Sequence, residues 1–324
     1  MEKPNPFQVI LNDDENLLEM IFRGIRIKTR GVCKTFRDLE PRPRVKLDEQ
    51  VAYFWGQRRD QTPLSAPDLL ATQQSMSVVS FHSLCHSDIE RFNRIMEVLP
   101  QFETLNHLEL YFYENNKPTD LSRTKIEHLA AVLPQCRSLT HLNLQRSKIE
   151  SKYMRTLAAA LPLCPSLTHL NLYYMDLGSG TGSGAGIRAL AAVLPQCRSL
   201  TELNLEANSI WDKGVGPLAA VLPQCTSLAH LNVGGNHIGD EGMGRLAAVL
   251  PQCRSLAHLN VSSNYAEVQG AEMLAAVLPQ CTSLTYLDMR QVFGKQGFAR
   301  LEAVFPQCAS LTDVIHGYDL HLCL

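Results

Sequence analysis

The sequence lacks the features that mark membrane, secreted or nucleic-acid-binding proteins. No apolar run approaches the ~20 residues that span a bilayer. The N-terminus does not show the basic-then-apolar order of a secretion signal. A formal net charge of -2 leaves no excess of basic residues for a nucleic-acid surface. We therefore expect no membrane and no nucleic-acid partner, and a location in the cytoplasm or the nucleus.

Residue spacings typical of metal, redox or catalytic sites are missing as well. The ten cysteines form no Cys-x-x-Cys pair, and without an export signal they are expected to be reduced thiols. The glycine-rich stretch 178–186 fits neither phosphate-binding glycine pattern and is interpreted as a flexible insertion. No catalytic constellation stands apart from the repeated template described next. We expect a protein that is not an enzyme and needs no metal and no cofactor.

Internal repetition is what the sequence has in abundance. Leu-Pro-Gln-Cys, or a close variant, recurs along the chain, and each copy is followed by Leu-x-x-Leu-x-Leu or a near copy. The latter strings begin at positions 105, 139, 167, 200, 228, 256, 284 and 311, and a degenerate one begins at 76. The usual step of 28 residues predicts one strand and one helix per unit. Such a unit cannot bury its apolar face alone, so neighbouring units must stack.

Residues 200–225 show how one unit is expected to fold. Asn208 should hydrogen-bond the backbone of the turn after the strand, and Asp212 should cap its own helix. Pro223 should end that helix, because the residue before a proline is disfavoured in the α conformation. The side chains expected in the core are Leu200, Leu203, Leu205, Leu218, Val221 and Leu222.

With the turn asparagine, the glycine near the helix start and Leu-Ala-Ala-Val-Leu-Pro-Gln-Cys, the pattern resembles the ribonuclease-inhibitor-like class of leucine-rich repeats. The resemblance covers roughly residues 76–324. It implies an α/β leucine-rich-repeat solenoid, a partial horseshoe with a concave parallel sheet and outer helices. It also implies that the concave face binds a protein target. The final strand is expected either to be covered by a folded-back tail or to self-associate.

The N-terminal region carries a second resemblance. Residues 14–39 contain two amphipathic stripes at helical spacing and resemble an F-box, which docks substrate receptors on the Skp-type adaptor of a cullin ubiquitin ligase. The stretch between the stripes is shorter than usual, and the opening Leu-Pro is absent. A helical cap for the solenoid is the alternative interpretation. The residues implied to bind the adaptor are Leu17, Leu18, Ile21, Phe22, Val32, Cys33 and Phe36.

Three parts are expected along the chain. These are a helical F-box-like segment at 1–40, a junction at 41–75 and the leucine-rich-repeat domain at 76–324. The function favoured is that of a substrate receptor of a cullin-type (SCF) ubiquitin ligase. The alternative is a leucine-rich-repeat scaffold or inhibitor with no ligase connection.

Side chains between the strand leucines should point to the concave face, because side chains alternate along a strand. One column of these positions is mostly histidine, but a flat ladder does not offer the tetrahedral geometry of zinc, so no metal site is expected. Protonation of the histidines is expected to weaken partner binding. Two repeats have longer turns, and their aromatic residues are of the types enriched in binding hot spots. The candidate contact residues are Tyr111, Phe112, His141, Arg146, His169, Tyr173, Tyr174, Glu202 and Glu206.

Overall fold

A computed structural model of the 324-residue chain describes the repeats almost completely. The described residues are 8–11, 78–81, 92–93, 96–97, 99–110, 113–114, 117–118, 120–121, 123–149, 151–178, 184–317 and 320–323. The F-box-like residues and candidate residues Tyr111 and Phe112 lie outside them, so the predictions made for those positions stay predictions.

One sheet of eleven strands runs through the described residues. All neighbours in it pair in parallel except the last two strands, which are antiparallel. In spatial order the strands are β1 (Gln8–Leu11), β2 (Val78–Phe81), β3 (His107–Leu110), β7 (His141–Asn143), β9 (His169–Asn171), β10 (Glu202–Asn204), β11 (His230–Asn232), β12 (His258–Asn260), β13 (Tyr286–Asp288), β14 (Asp313–His316) and β15 (Leu320–Cys323). Short two-stranded ladders pair β4 (Tyr113–Glu114) with β5 (Lys117–Pro118), and β6 (Asp120–Leu121) with β8 (Lys148–Ile149).

One helix follows each strand of the central repeats, and successive helices pack side by side. They are α1 (Arg123–Val132), α2 (Ser151–Ala160), α3 (Ala185–Ala191), α4 (Trp211–Val221), α5 (Asp240–Ala247), α6 (Val268–Ala275) and α7 (Lys295–Glu302). A 3-10 turn built on Leu-Pro-Gln or a variant leads from each helix towards the next strand, as at Leu222–Gln224. Leu222, just before the proline, keeps an α conformation, so our reason for the helix end was wrong. Pro223 has no N–H to donate, which explains the change from α to 3-10 hydrogen bonding at this point.

The core lies between the sheet and the helices, as the 28-residue pattern predicts. Five of the six core residues expected from the unit at 200–225 are at most 3% exposed, while Val221 is partly buried against them. The cysteine of each Leu-Pro-Gln-Cys string is packed at the same level of every repeat, and most of these thiols are buried. The expected leucine-rich-repeat solenoid, with a parallel sheet on one side and helices on the other, is therefore confirmed.

A ladder of buried asparagines ties neighbouring repeats together. The side-chain oxygen of Asn236, which is fully buried, accepts hydrogen bonds from the backbone amides of Asn208 (2.8 Å) and Ile210 (3.3 Å) in the preceding repeat. Asn264 accepts in the same way from Asn236 and Ile238. The turn asparagine was expected to bond the backbone of its own turn, and Asn208 does so, because its Nδ2 donates to the carbonyls of Leu205 (2.9 Å) and Glu206 (3.2 Å). Its side-chain oxygen also bonds the turn of the previous repeat, so the ladder couples neighbouring units.

A second ladder caps the helices across repeats. Asp212 lies in α4, and its Oδ1 accepts from the amides of Gly239 (2.7 Å) and Gly242 (3.0 Å) at the start of α5. The expectation that Asp212 caps its own helix was therefore wrong; it caps the next one. A Cβ on Gly242 would lie 2.5 Å from Asp212 Oδ1 and 2.7 Å from Ile238 Cγ2, which explains why this position is glycine.

Both ends of the sheet are extended by short strands. The tail folds back as β15, which pairs with β14 and confirms the first of the two outcomes expected for the C-terminal edge. At the other end β1 pairs in parallel with β2. Residues 8–11 of the 1–40 segment therefore belong to the sheet of the solenoid.

Candidate functional site

From β7 to β12 the concave face is built from three-residue strands in which only the central leucine is buried. In β7 and β9 the histidine and asparagine on either side of the buried leucine are partly exposed. The parallel register places His141 opposite His169 and Asn143 opposite Asn171, so equivalent side chains form columns across the strands. The columns line a groove of about 620 Å³ that extends from β3 to β13.

The first column contains stacked imidazole rings. The centroids of His107 and His141 are 3.7 Å apart and those of His141 and His169 are 3.8 Å apart, with nearly parallel planes. The stack ends at β10, where His169 Nε2 lies 3.1 Å from Glu202 Oε1. His230 and His258 continue the column with a 4.1 Å separation, so two of the candidate residues, His141 and His169, lie inside one ring ladder.

Burial keeps most of this ladder uncharged at neutral pH. Burial, together with the smaller effects of the neighbouring His107 and His169, lowers the pKa of His141 to about 4. Burial also lowers the pKa of His107 and His258, although nearby carboxylates partly oppose this. Within the described part of the chain, no three His, Cys, Asp or Glu residues are grouped so as to hold a metal ion. The ladder is a stack of mainly neutral rings.

The asparagine column is less available to a partner than its exposure suggests. Asn171 Oδ1 accepts from the amide of Tyr173 at 3.0 Å, and Asn204 Oδ1 accepts from Glu206 at 2.9 Å. The bond from side chain to the amide two residues on recurs from β7 to β13 and is an Asx turn. These oxygens therefore fix the strand ends, a role that the alternation of side chains alone did not reveal.

Arg146, Tyr173 and Tyr174 form one cluster at the edge of the groove. The Arg146 guanidinium carbon lies 5.7 Å from the centroid of the Tyr173 ring, and the two tyrosine rings are 6.1 Å apart. Arg146 and Tyr174 adopt positive φ angles, 59° and 55°, that turn the chain away from the sheet. Their amides donate to carbonyls of the next repeat, at 2.7 Å and 3.0 Å, which holds this conformation. Tyr174 remains 47% exposed, as a contact residue must be.

The two candidate glutamates lie next to this cluster, on and after β10. Glu202 is the end of the histidine stack described above, and Glu206 accepts a hydrogen bond from Asn232 Nδ2 at 2.9 Å. Seven of the nine candidate contact residues are thus placed on or beside the concave face, while Tyr111 and Phe112 are outside the described residues.

A second aromatic cluster was missed by the sequence analysis. Trp211 and Tyr265 are 51% and 60% exposed, and His237 lies between them. The ring centroids of Trp211 and His237 are 4.6 Å apart, and those of His237 and Tyr265 are 5.0 Å apart. The signal was present, because His237 and Tyr265 occupy the same turn position 28 residues apart, but only the strand columns were compared.

The repeated cysteines are not reactive groups. The seven described thiols of the repeats each donate to the carbonyl four residues earlier, as Cys253 does to Val249 at 3.3 Å. Burial raises the pKa of Cys253 to about 12 and that of Cys225 to about 11. Thiols that stay protonated are poor nucleophiles, which agrees with core filling.

Residues 196–219 and 224–247 each match the family model described as Leucine Rich repeat. The chain thus contains leucine-rich repeats, and repeats of this kind imply a module for protein–protein interaction. Their fold is typically a binding scaffold and not an enzyme. No helix among the described residues is long and apolar enough to cross a membrane.

Solved structures that match this chain include three proteins. The leucine-rich repeat-containing protein LegL7 from Legionella pneumophila is 19% identical, with a TM-score of 0.48 over 80% of this chain and 81% of that one. The leiomodin-1 actin-binding site 2 is 16% identical, with a TM-score of 0.38 over 40% of this chain and 78% of that one. The tropomodulin C-terminal domain of Caenorhabditis elegans is 18% identical, with a TM-score of 0.35 over 41% and 83%. Comparison with curated protein sequences gives no match.

Proposed function

We propose that this protein is a recognition module that binds a protein partner on its concave face, next to the cluster of Arg146, Tyr173 and Tyr174. The observation that carries this proposal is the cluster itself, which combines a cation–π contact with a half-exposed tyrosine at the edge of an open groove. Tyrosine and arginine dominate the binding energy of protein interfaces. The remaining members of the proposed contact surface are Tyr111, Phe112, His141, His169, Glu202 and Glu206.

Replacing Arg146 and Tyr173 together with alanine tests this assignment. Neither side chain is part of the buried core, so the free energy of unfolding should stay within the ~0.5 kcal/mol typical of surface substitutions. The melting temperature should therefore be nearly unchanged. Proteins captured by the wild-type chain should be lost or strongly reduced when identified by quantitative mass spectrometry.

The matched control is the pair Arg245→Ala and Tyr265→Ala, which removes the same residue types away from the groove. Arg245 is on α5, and Tyr265 belongs to the aromatic cluster with Trp211. The control should retain the captured proteins. Equal capture by all three chains, or loss in the control alone, contradicts the concave-face assignment.

A finer proposal is that the protein is a substrate receptor of a cullin-type ubiquitin ligase. It is supported by the F-box-like sequence at 14–39, in which Leu18 and Phe22 belong to the first amphipathic stripe. The wild-type chain should then capture a Skp-type adaptor, and changing Leu18 and Phe22 to glutamate should abolish capture. Leu163→Glu is the control, because this leucine is 62% exposed on the repeats. A wild-type chain that captures no adaptor favours the scaffold or inhibitor alternative.

The boundaries at 1–40, 41–75 and 76–324 remain part of the proposal. Removing residues 1–75 would delete β1 and uncover the edge of β2, because these two strands are paired. Point substitutions in the F-box-like segment therefore give a cleaner test than truncation.

A further inference from the structure

The outer face of the repeats around α2 and α3 is basic. Arg155 on α2 and Arg188 on α3 occupy equivalent positions on neighbouring helices, and both are exposed. Neither helix contains an aspartate or a glutamate. Two more exposed arginines, Arg137 and Arg198, follow the 3-10 turns of the repeats on either side of the turn Leu161–Leu163. Four arginines therefore surround this one turn.

These four charges are not compensated within the described part of the chain. Other arginines of the outer helices are paired, as Arg123 is with Glu127 at 2.7 Å. By contrast, no ion pair and no side-chain hydrogen bond joins any of the four arginines to another described residue. The position equivalent to Arg137 in the preceding repeat is the exposed Glu103, which marks the end of the basic surface.

An exposed leucine lies at the centre of this surface. Leu163 is 62% exposed, more than any other large apolar side chain among the described residues. The same position is glutamine in the two adjacent repeats, at Gln135 and Gln196, and their turns keep the same 3-10 form. Pro165 also replaces the arginine that follows the turn in those repeats. The fold therefore does not require an apolar side chain at this position.

The helices fix how far the charges lie from the leucine. Exposed positions recur every four residues at 155, 159 and 163, so Arg155 and Leu163 lie on one outward ridge of the same helix and its turn. At ~1.5 Å of rise per residue they are roughly 12 Å apart. Helices α2 and α3 pack side by side at the ~8–10 Å typical of helix pairs, which places Arg188 beside Arg155.

The basic side chains on the other side of the leucine are held by contacts between repeats. Ser199 Oγ donates a hydrogen bond to the carbonyl of Pro165 at 2.6 Å, so Arg198 is fixed next to the turn that carries Leu163. The leucine thus has cations on two sides, towards the helices and towards the strands.

We propose that the outer face around Leu163 is a docking surface for a segment of a partner protein in which a large apolar residue is flanked by aspartates or glutamates. The apolar residue covers Leu163, and the carboxylates pair with the surrounding arginines. An extended chain rises ~3.3 Å per residue, so a carboxylate about three or four residues from the apolar side chain reaches Arg155. This surface is on the helix side of the sheet, so the proposal does not rest on the concave-face assignment.

A nucleic acid or an anionic membrane would also meet the positive charge, but neither explains the leucine as well. Single-stranded nucleic acids stack their bases on aromatic rings, whereas the exposed side chain here is aliphatic. Stable membrane attachment takes a larger apolar surface than one leucine side chain. An acidic protein segment uses both the charge and the apolar centre.

Three labelled twelve-residue peptides test the inference by fluorescence anisotropy with the full chain at pH 7.5 and low salt. The first has a central leucine with glutamates three and four residues away on each side, on a serine–glycine background. The second has lysines in place of the glutamates, and the third has serine in place of the leucine. The first peptide should bind, and the other two should bind at least about tenfold more weakly, because each lacks one of the two contacts.

Two variants of the protein locate the binding. Leu163→Gln introduces the residue that the adjacent repeats have here, so the melting temperature should be unchanged while the first peptide binds about tenfold more weakly. Changing Arg155, Arg188 and Arg198 to glutamine should also weaken its binding by about tenfold at low salt, from the loss of three exposed charge pairs.

The control is a second triple variant, in which Lys213, Arg245 and Arg300 are changed to glutamine. It alters the net charge equally but should leave the affinity within about twofold, because these residues lie on α4, α5 and α7. Equal binding of the three peptides, no binding of the first one, or equal weakening by both triple variants overturns the inference. So does binding of a single-stranded oligonucleotide or of phosphatidylserine vesicles more tightly than the first peptide. The capture experiment with Arg146 and Tyr173 is independent of all these results.

Discussion

Replacing Asn236 with alanine removes the central rung of the asparagine ladder. Its Oδ1 accepts from the amides of Asn208 and Ile210, and its Nδ2 donates to the carbonyls of Leu205 at 2.8 Å and Gly234 at 3.0 Å. The Leu205 carbonyl keeps a bond from Asn208 Nδ2 at 2.9 Å, so the main cost is two buried amides without an acceptor. An unsatisfied buried donor costs about 1–3 kcal/mol, so the two amides together give an expected loss of about 2–6 kcal/mol.

Equilibrium unfolding in urea and amide hydrogen exchange measure this loss. Stacked repeats can unfold in parts, so the exchange rates of Asn208 and Ile210 report the local effect even where the global transition broadens. Asn232→Ala is the control, because it removes an asparagine of the same repeat that faces the groove. Its Oδ1 accepts a hydrogen bond from the amide of Gly234 at 2.9 Å, and this single bond is only partly buried, so the loss should be about 1 kcal/mol.

The reasoning is refuted if Asn236→Ala costs no more than Asn232→Ala. It is also refuted if Asn208 and Ile210 keep their protection in the variant. Either result would mean that the turns are held by packing of the leucines, and that the buried amides find other acceptors.

Three further predictions concern the packing of the helices, the histidine ladder and the thiols. Gly242→Ala should lower the free energy of unfolding by about 1–3 kcal/mol, because its Cβ would overlap neighbouring atoms. Gly294→Ala, whose Cβ would have nothing within 4 Å, should cost under about 1 kcal/mol, and urea titrations compare the two variants. Burial lowers the pKa of His141 from 6.5 to about 4, so the unfolded chain takes up a proton at a higher pH than the folded chain, and stability should fall as the pH drops from about 6.5 to 4. A His141→Gln variant whose melting temperature has the same pH dependence as that of the wild type contradicts this. Iodoacetamide at pH 7.5 should label the seven described cysteines of the repeats far more slowly in the native chain than in the denatured chain, as measured by peptide mass spectrometry. Rapid labelling of the native chain would show that these thiols are not buried.

The spacing of the leucines was sufficient to predict the solenoid, because period and alternation fix which side chains are buried. It was not sufficient to predict the partners of the polar side chains. Asn208 was correctly expected to bond its own turn, but its side-chain oxygen also accepts from the repeat before it, and Asp212 caps the helix of the next repeat and not its own. A sequence taken one unit at a time favours local partners, whereas stacking brings the equivalent position of the next unit equally close.

The candidate site was predictable in position and less so in its chemistry. Arg146 and Tyr173 were expected on neighbouring strands, and their contact follows from the register. The stacking of His107, His141 and His169 also follows from the register. The lowered pKa of His141 depends on burial, which the aligned sequences of the repeats do not show. Trp211 was missed because it is the first residue of α4, directly after a turn, and its positive φ of 55° is not described by the periodicity of the strands.

The asparagine ladder makes the central repeats interchangeable building blocks. Asn208, Asn236 and Asn264 are each 28 residues apart, and each supplies the acceptor that the turn before it requires. Excising residues 209–236 joins Asn208 directly to His237, so that Asn264 inherits the role of Asn236 and every buried amide regains a partner. Excising one residue more or fewer between Asn208 and Asn264 would move the acceptor away from the turn that requires it. This central stretch can therefore be shortened without loss of these bonds only by whole units of 28 residues.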